Sequence, residues 1–494
     1  MKLERLISDV ERLQVYGDTS VECCSLSYDS RTVEAGGCFF AVVGRQSDGH
    51  LFIPMAEQRG VSAVVCERLP EQLNEGICYI VVPSTEVAMG RMATAFYSNP
   101  SRELKLVGVT GTNGKTTTAT LLSELFNLLG YKTGLISTVT YRIGDREYDS
   151  THTTPDAIRL NAMLHEMVDE GCEYAFMEVS SHSVVQSRIE GLTFEGAIFS
   201  NLTHDHLDYH GSFAEYLRAK KRLFDSLPKG AFAVTNIDDR NGEVMVQNCA
   251  ARVVRYSMRS MADVRAKVVE MHFDGMLMEI DGQEVWVRLI GRFNGSNLLS
   301  LYAAARELGV EREELLVAIS RLVSVNGRFE AIAAGGGRTV VIDYAHTPDA
   351  LENVLETVGE IARSVGAERD VVTVCGCGGE RDQQKRPEMA RVAYRASSMV
   401  IFTSDNPRSE DPEQIIAQMI EGLEGIAPMA GRRYLKITNR AEAIRTAIML
   451  SAPGAIVVIA GKGHERYQII GGERHHFDDH EQVAQAIEFI NDNN

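Results

Sequence analysis

Long apolar runs are missing from this chain of 494 residues. No segment offers the roughly 18 uninterrupted apolar residues that a membrane-spanning helix needs, so membrane insertion is not expected. No secretory leader is expected. The opening residues MKLERLISDVERL set Leu3, Leu6, Ile7, Val10 and Leu13 at helical spacing between charges, which predicts an amphipathic helix and a cytoplasmic protein. Paired cysteine motifs are absent. The 9 cysteines are odd in number and include no C-x-x-C; Cys23 and Cys24 are adjacent, and Cys375 and Cys377 flank a glycine. Cys38, Cys66 and Cys78 sit in apolar surroundings, so reduced core thiols are expected, not zinc sites or disulfides. Positive charge is in deficit: Lys and Arg total 50 against 68 Asp and Glu, a formal net charge of −18. That balance excludes nonspecific binding to nucleic acid or anionic membranes. If phosphates are bound, local devices must bind them.

No internal repeat or low-complexity tract interrupts the chain. Its length predicts about three domains. One break falls at the polar turn Tyr97–Ser101, and a second follows Asn326–Glu330 near the glycines at 335–337. The expected domains are therefore 1–100, 101–332 and 333–494. Short apolar runs at 104–109, 174–179, 196–200, 231–235, 339–343, 370–375, 399–403 and 455–460 read as buried strands, and helical stretches such as 117–129 and 347–363 lie between them. This is the α/β pattern of parallel sheets with crossover helices. A small N-terminal α/β domain, a central P-loop domain and a C-terminal Rossmann-like domain are expected. Residues 264–290 break the alternation and predict an antiparallel insertion in the central domain.

The strongest local signal is Leu106-Val-Gly-Val-Thr-Gly-Thr-Asn-Gly-Lys-Thr-Thr117, which runs from strand through glycine-rich loop to helix. Gly111 and Gly114 let backbone N–H groups close on a phosphate, and the helix N-terminus adds partial positive charge. Lys115 can reach the β- and γ-phosphates and Thr116 can hold Mg²⁺. The spacing departs from G-x-x-x-x-G-K-[ST], because position 109 is Val.

Further along, Ser212 and Glu215 form a capping box at the start of a helix whose apolar stripe is Phe213, Leu217, Phe224 and Leu227. Lys220 falls in that stripe, while Lys221 and Arg222 fall off it. A lysine forced toward a low-dielectric face loses basicity and can take up CO₂ as a carbamate, or it can snorkel to the surface. Just upstream, Asn201–Gly211 carries three His and two Asp after a strand, the makings of a metal or phosphate site or of a polar loop. Glu178 ends the strand at 174–179. A carboxylate there lies where ligands bind in parallel sheets and suits Mg²⁺.

Together these residues resemble the Mur ligase family. Gly111–Thr116, with Thr112 and Asn113 inside it and Thr117 after it, has that family's form of the loop, which accounts for the spacing. Glu178, His206 and Lys220 match the family's metal-binding Glu, His and carbamylated Lys. Asn297, in the stretch Gly291–Asn297, Arg328 of Asn326–Phe329 and Asp343 match its nucleotide contacts. The resemblance covers all three domains and is strongest to members that add the third amino acid of the peptidoglycan stem. Tyr28–Arg31 and Gly37–Gly44 look like a uridine-binding domain in which Ser30 contacts the substrate. Thr153, Thr154, Ser180, Gln186 and Arg188 match positions that hold the muramoyl dipeptide, and His152 stands where some members carry Asn. Asp405, Asn406, Pro407 and Arg408 match the string that reads the incoming amino acid. Its Arg-ending form resembles enzymes that add meso-diaminopimelate, whose second carboxylate a guanidinium grips bidentately. Arg381, Gly461 and Glu465 match the rest of that pocket.

The resemblance implies an ATP-dependent amide ligase that joins meso-diaminopimelate to UDP-N-acetylmuramoyl-L-alanyl-D-glutamate through an acyl phosphate, with Mg²⁺ and N6-carboxylysine at Lys220. Lys115, Glu178, His206 and Lys220 are the implied catalytic groups. Thr116, Glu178, His206 and Lys220 are the implied metal ligands for two ions. A monomer, closing its C-terminal domain over the site, is expected. Three other readings compete: a P-loop switch or motor, a catalytically dead scaffold, and a folylpolyglutamate synthase. Arg408, the intact polar set and the uridine-type motifs argue against each.

Overall fold

The structure is a computed structural model that describes all residues except 45–46, 204, 206, 365–369, 427–430 and 493–494. Among the described residues the strands form a five-stranded, an eleven-stranded and a six-stranded sheet and one separate hairpin. The strand Lys105–Thr110 is buried from Leu106 onward, as expected of a parallel strand covered on both faces. It lies between Tyr174–Glu178 and Gly196–Phe199 and is parallel to both. All three strands therefore release their loops at one edge of the central sheet, the place where open α/β sheets bind ligands.

The helix Lys115–Leu128 follows directly and buries Ala119, Leu121, Leu122, Leu125 and Phe126 against that sheet. Gly130, at φ +91°, stops it. The Gly130 N–H donates to Asn127 O at 3.0 Å and the Tyr131 N–H to Phe126 O at 2.9 Å, the paired bonds of a Schellman cap. The expected insertion is present: Val264–His272, Gly275–Ile280 and Gln283–Val287 pair antiparallel. They extend the central sheet, because Tyr256 pairs with Val264 across a parallel junction.

The N-terminal sheet corrects one expectation. Helix forms only over Leu3–Leu6. Leu3, Leu6, Ile7 and Val10 are buried, but Leu13 is 61% exposed. Its N–H donates to Val81 O at 2.8 Å, and Gln14–Tyr16 then joins the sheet edge beside Cys78–Val81. Pairing with an open edge wins over continuing the helix. Seven of the nine cysteines are buried, Cys24 is exposed and Cys249 lies between; all are free thiols.

In the C-terminal sheet, Arg338–Asp343, Ile456–Ala460, Val371–Cys375, Met399–Phe402 and Arg433–Lys436 run parallel, with Glu330–Ala334 antiparallel at one edge. Its apolar core is continuous with that of the central sheet through Leu298, Leu301, Phe329, Val341, Leu351 and Val358. The N-terminal part joins the central one through Ala157, in the same cluster as Leu3 and Met92, and through Arg91–Glu190 at 2.9 Å.

One charged pair is sealed inside the C-terminal part. Arg440, opening the helix Arg440–Leu450, donates from Nε and Nη2 to Asp479, opening Asp479–Asp492, both at 2.8 Å and with no side-chain exposure. Removing one partner strands the other charge in a dry site. Asp479→Ala is expected to cost about 3–5 kcal/mol in denaturant unfolding; a loss below about 1 kcal/mol would show the pair to be incidental.

Candidate functional site

The loop between Thr110 and Lys115 is shaped by close approach. A Cβ on Gly111 (φ +152°) would lie 1.9 Å from Ser200 Oγ, and one on Gly114 (φ +87°) would lie 2.3 Å from Asn297 Oδ1. Ser200 Oγ donates to Asn113 O at 2.6 Å, and Asn201 both donates to Asn113 O at 3.1 Å and accepts from its N–H at 2.9 Å. The loop is thus clasped by the end of the neighbouring strand, with its amides at the start of a 14-residue helix. Lys115 Nζ donates to Gly111 O at 3.0 Å and Thr112 O at 2.9 Å. Burial lowers its pKa and Glu178 opposes that shift. Thr116 and Thr117 are buried in the first turn.

The C-terminal part reaches this loop. Asp349, in the first turn of Pro348–Ser364, accepts from Asn113 Nδ2 at 2.7 Å. Arg328 donates to Thr116 Oγ1 at 3.2 Å and lies over the Tyr344 ring at 4.5 Å. Asp343 fixes the intervening linker by accepting from the Phe329 and Ala345 N–H groups, each at 2.7 Å. Burial raises its pKa. Asn297 against Gly114, and Arg328 between Thr116, Lys115 and Asp343, thus bring the loop and the linker together.

Glu178 and Lys220 both attend this loop, Lys220 by a bond to Gly111 O and Glu178 by its charge beside Lys115. Glu178 is 1% exposed. Its Oε1 accepts from the Thr138 N–H at 2.6 Å, while its Oε2 is buried without a hydrogen-bond partner among the described residues. A buried, orphaned carboxylate oxygen beside a phosphate loop fits a divalent cation. Ser212 Oγ accepts from the Glu215 N–H at 3.2 Å, so the capping expected for the helix Phe213–Asp225 is in place. The buried face of that helix is Tyr216, Ala219, Lys220, Leu223 and Phe224; Phe213 and Leu217 are only partly covered. Lys220 does not snorkel. It is 1% exposed, donates to Gly111 O at 2.7 Å and sits 4.7 Å above the Tyr216 ring. Burial, with Lys115 adding to it, pushes its pKa well below the usual lysine value. His206 lies outside the described residues. Among those described, no three His, Cys, Asp or Glu side chains gather as a metal site.

Thr153, Thr154, Ser180, Gln186 and Arg188 come together beside Glu178. Thr154 Oγ1 donates to Glu178 O at 2.8 Å, and Thr138 Oγ1 donates to Thr153 Oγ1 at 3.0 Å. Ser180 caps a short helix by accepting from the Ser183 N–H at 3.1 Å. Arg188 is held by Thr154 O at 2.5 Å and Gln186 Oε1 at 2.5 Å. Ser30 is buried in the N-terminal part, 3.4 Å from Met55 Sδ. Its neighbour Tyr28 lies within the electrostatic reach of Asp156 and Arg188.

The string Asp405–Arg408 lies at the C-terminal ends of Met399–Phe402 and Ile456–Ala460. Asp405, Asn406 and Pro407 are buried. Arg408 adopts φ +54°, an unusual conformation for arginine. Its N–H donates to Ile469 O at 3.0 Å and its carbonyl accepts from the Gly471 N–H at 2.7 Å. Nη1 donates to Gly379 O at 2.7 Å. A Cβ on Gly378 would lie 3.0 Å from Arg408 Nη1 and 3.7 Å from Arg381 Cγ, so both arginines border that glycine. Asn406 Nδ2 donates to Glu465 Oε2 at 2.8 Å. Gly461, at φ +119°, passes so close that a Cβ would meet Asp405 Oδ2 at 2.7 Å. Asn406 thus links the Arg408 guanidinium, which reaches its carbonyl at 3.4 Å, to the Glu465 carboxylate.

Sequence reasoning missed several groups that shape the site. Ser200 and Asn201 clasp the loop, Tyr216 lies under Lys220, and Asp349 receives Asn113. Lys462, inside the Gly-Lys-Gly-His-Glu run, is fully buried between Asn406 and Glu465. Its place between two glycines is the one signal that marked it.

Comparison with known proteins gives a consistent picture. Family models match residues 24–97 (Mur ligase family, catalytic domain), 109–305 (Mur ligase middle domain) and 327–463 (Mur ligase, glutamate ligase domain). A protein of Bacteroides fragilis named UDP-N-acetylmuramoyl-L-alanyl-D-glutamate--2,6-diaminopimelate ligase is 51% identical over 99% of both chains. One of the same name from Geobacillus kaustophilus is 42% identical, again over 99% of both. A solved structure with that name superposes with a TM-score of 0.70 at 34% identity, covering 99% of each chain. A folylpolyglutamate synthase of Mycobacterium tuberculosis shares the fold at TM-score 0.58 and 17% identity, over 76% of this chain and 93% of its own.

The glycine geometry yields a test. Gly114→Ala places a methyl against Asn297 in a backbone conformation that alanine resists. ATP affinity by calorimetric titration is expected to fall about ten-fold or more, with the fold intact. Unchanged affinity would remove the loop from the nucleotide site.

Proposed function

This chain belongs to the Mur ligase family, and we propose that it is the ATP-dependent ligase that joins meso-diaminopimelate to UDP-N-acetylmuramoyl-L-alanyl-D-glutamate in peptidoglycan precursor synthesis. The observation that carries this reading is the pocket in which Arg408, Asn406 and Glu465 are held together. Diaminopimelate ends in a carboxylate and an ammonium on one carbon, and the pocket offers a guanidinium for the first and a carboxylate for the second. Lysine offers only the ammonium. In this reading residues 1–100 hold the uridine end of the substrate with Ser30, 101–332 bind ATP, and 333–494 bind the amino acid. The protein works as a cytoplasmic monomer. Among the described residues no helix is long and apolar enough to cross a membrane.

A carboxylate is a poor acyl donor because oxide must leave. In the proposed reaction an oxygen of the D-glutamate carboxylate attacks the γ-phosphorus of ATP and ADP departs. The diaminopimelate amine then attacks the acyl carbon, phosphate leaves, and the amine proton is lost. Gly111–Thr117 cradle the phosphates, and Lys115 carries charge on the transferring group. Asn297, Arg328 and Asp343 hold the nucleotide where the linker crosses. Thr153, Thr154, Ser180, Gln186 and Arg188 orient the dipeptide so that its carboxylate faces the loop. Arg381 and Gly461 complete the amino-acid pocket with Asp405 and Pro407.

Lys220 acts as a carbamate. Its weakly basic amine attacks CO₂, a C–N bond forms and a proton is released, which turns a buried cation into an anionic oxygen donor. Thr116, Glu178, His206 and carboxylated Lys220 would hold magnesium, which neutralises charge on the reacting oxygens when bound. The orphaned Glu178 oxygen and the depressed basicity of Lys220 support this assignment.

The reading is tested by ADP release in the presence of the UDP-dipeptide. Release is expected with meso-diaminopimelate and to be about a hundred-fold or more less efficient with lysine. Arg408→Ala should lower kcat/KM for diaminopimelate about a hundred-fold while leaving the KM for ATP within about two-fold; equal losses on both substrates would sink the assignment. Lys220→Ala is expected to be inactive and partly restored by short carboxylic acids. Wild-type rates in that variant would refute the carbamate.

A further inference from the structure

We propose that Lys462 is a positioning residue for amino-acid recognition: with Asn406 it fixes the Glu465 carboxylate that receives the incoming ammonium group. The proposal rests on the function read above and concerns a residue that makes no assigned contact to any substrate. Lys462 has no exposed side-chain surface. Its Nζ donates to Asn406 Oδ1 at 3.2 Å and to Glu465 Oε2 at 2.9 Å. Asn406 Nδ2 donates to the same Glu465 oxygen at 2.8 Å, which closes a triangle. Asn406 Oδ1 also accepts from the Ile469 N–H at 3.0 Å, so the amide is oriented by two donors. The glycines on either side press the backbone into place. A Cβ on Gly461 would meet Asp405, and one on Gly463 would lie 2.6 Å from Gly327 O in the linker.

The triangle also has an electrostatic consequence. Burial raises the pKa of Glu465 and Asp405 raises it further, while Lys462 and the bonds from Lys462 and Asn406 pull it down. Tyr344 and Tyr467 also lie within its field, with Arg408 beside Tyr467. The raising influences already prevail, and removing Lys462 takes away the charge that most opposes them, so the pKa rises further. Glu465 then takes a proton at higher pH and can no longer pair with an ammonium. Loss of substrate binding therefore appears as pH falls.

The test is Lys462→Met, with ADP release measured against meso-diaminopimelate from about pH 6.5 to 8.5. The KM for diaminopimelate is expected to rise about ten-fold, with kcat within about three-fold and the KM for ATP unchanged. In the variant, KM should climb as pH is lowered, whereas the wild-type profile stays flat. Lys462→Met/Asp405→Asn, which removes one charge of each sign, should flatten the pH dependence again. Lys462→Gln restores a donor without the charge, and should give a smaller rise that keeps the slope; it carries the test if thermal melting shows the Met variant unfolded. An unchanged KM with a flat profile overturns the proposal, as does a loss confined to kcat or to ATP. A wild-type enzyme that used lysine and not meso-diaminopimelate would instead overturn the preceding reading, and the same KM and pH measurements would then be made on lysine.

Discussion

Two lysines converge on one carbonyl. Gly111 O accepts from Lys115 at 3.0 Å and from Lys220 at 2.7 Å. Two ammonium groups sharing one acceptor in a low-dielectric site repel each other, so the arrangement favours losing one charge. The loop glycines make this possible, since only a backbone without Cβ atoms can pass between Ser200 and Asn297. Everything around the phosphate loop follows from that passage. Its neighbours clasp it, the linker residue Arg328 reaches it, and Glu178 keeps an oxygen bare beside it.

Much of this was legible in the sequence, for identifiable reasons. The parallel strands were apolar runs with no alternation, and the Schellman glycine at 130 and the cap at Ser212 are local signals that work over a few residues. Lys220 declared itself by helical spacing, although the face it shares proved to run through Tyr216 and Leu223, a rotation that spacing alone does not resolve. The N-terminal helix failed because its periodicity competes with a sheet edge more than sixty residues away. Asp349 and Arg440 do not read as site or core groups, and Ser200 and Asn201 read only as the end of a strand and the start of a polar stretch. Their bonds are made where strands and helices meet across the fold, which local spacing does not specify.

The acidic balance of the chain now has a clear meaning. Every proposed substrate carries negative charge, yet the net charge is −18. Cations are supplied locally: Lys115 in the loop, half-buried Arg188 beside Glu178, exposed Arg381 and half-buried Arg408 about Gly378, and fully buried Lys462 between Asn406 and Glu465. Inside the protein such charges act over short distances with little screening. The surface charge governs solubility and long-range encounter, and recognition is decoupled from it.

Arg408 shows a conflict between durability and selectivity. Its left-handed backbone is one that glycine or asparagine adopts with less strain, so stability alone would drift this position toward either. Yet the backbone bonds to Ile469 and Gly471 hold the main chain there whatever the side chain, which adds its own bond to Gly379 O. The position is therefore a socket whose occupant can be exchanged without rebuilding its walls. On the proposed reading of Arg408, a lineage could change the amino acid it installs in its cell wall at this one residue, and persistence of arginine would then record selection on the cross-link chemistry, not on folding.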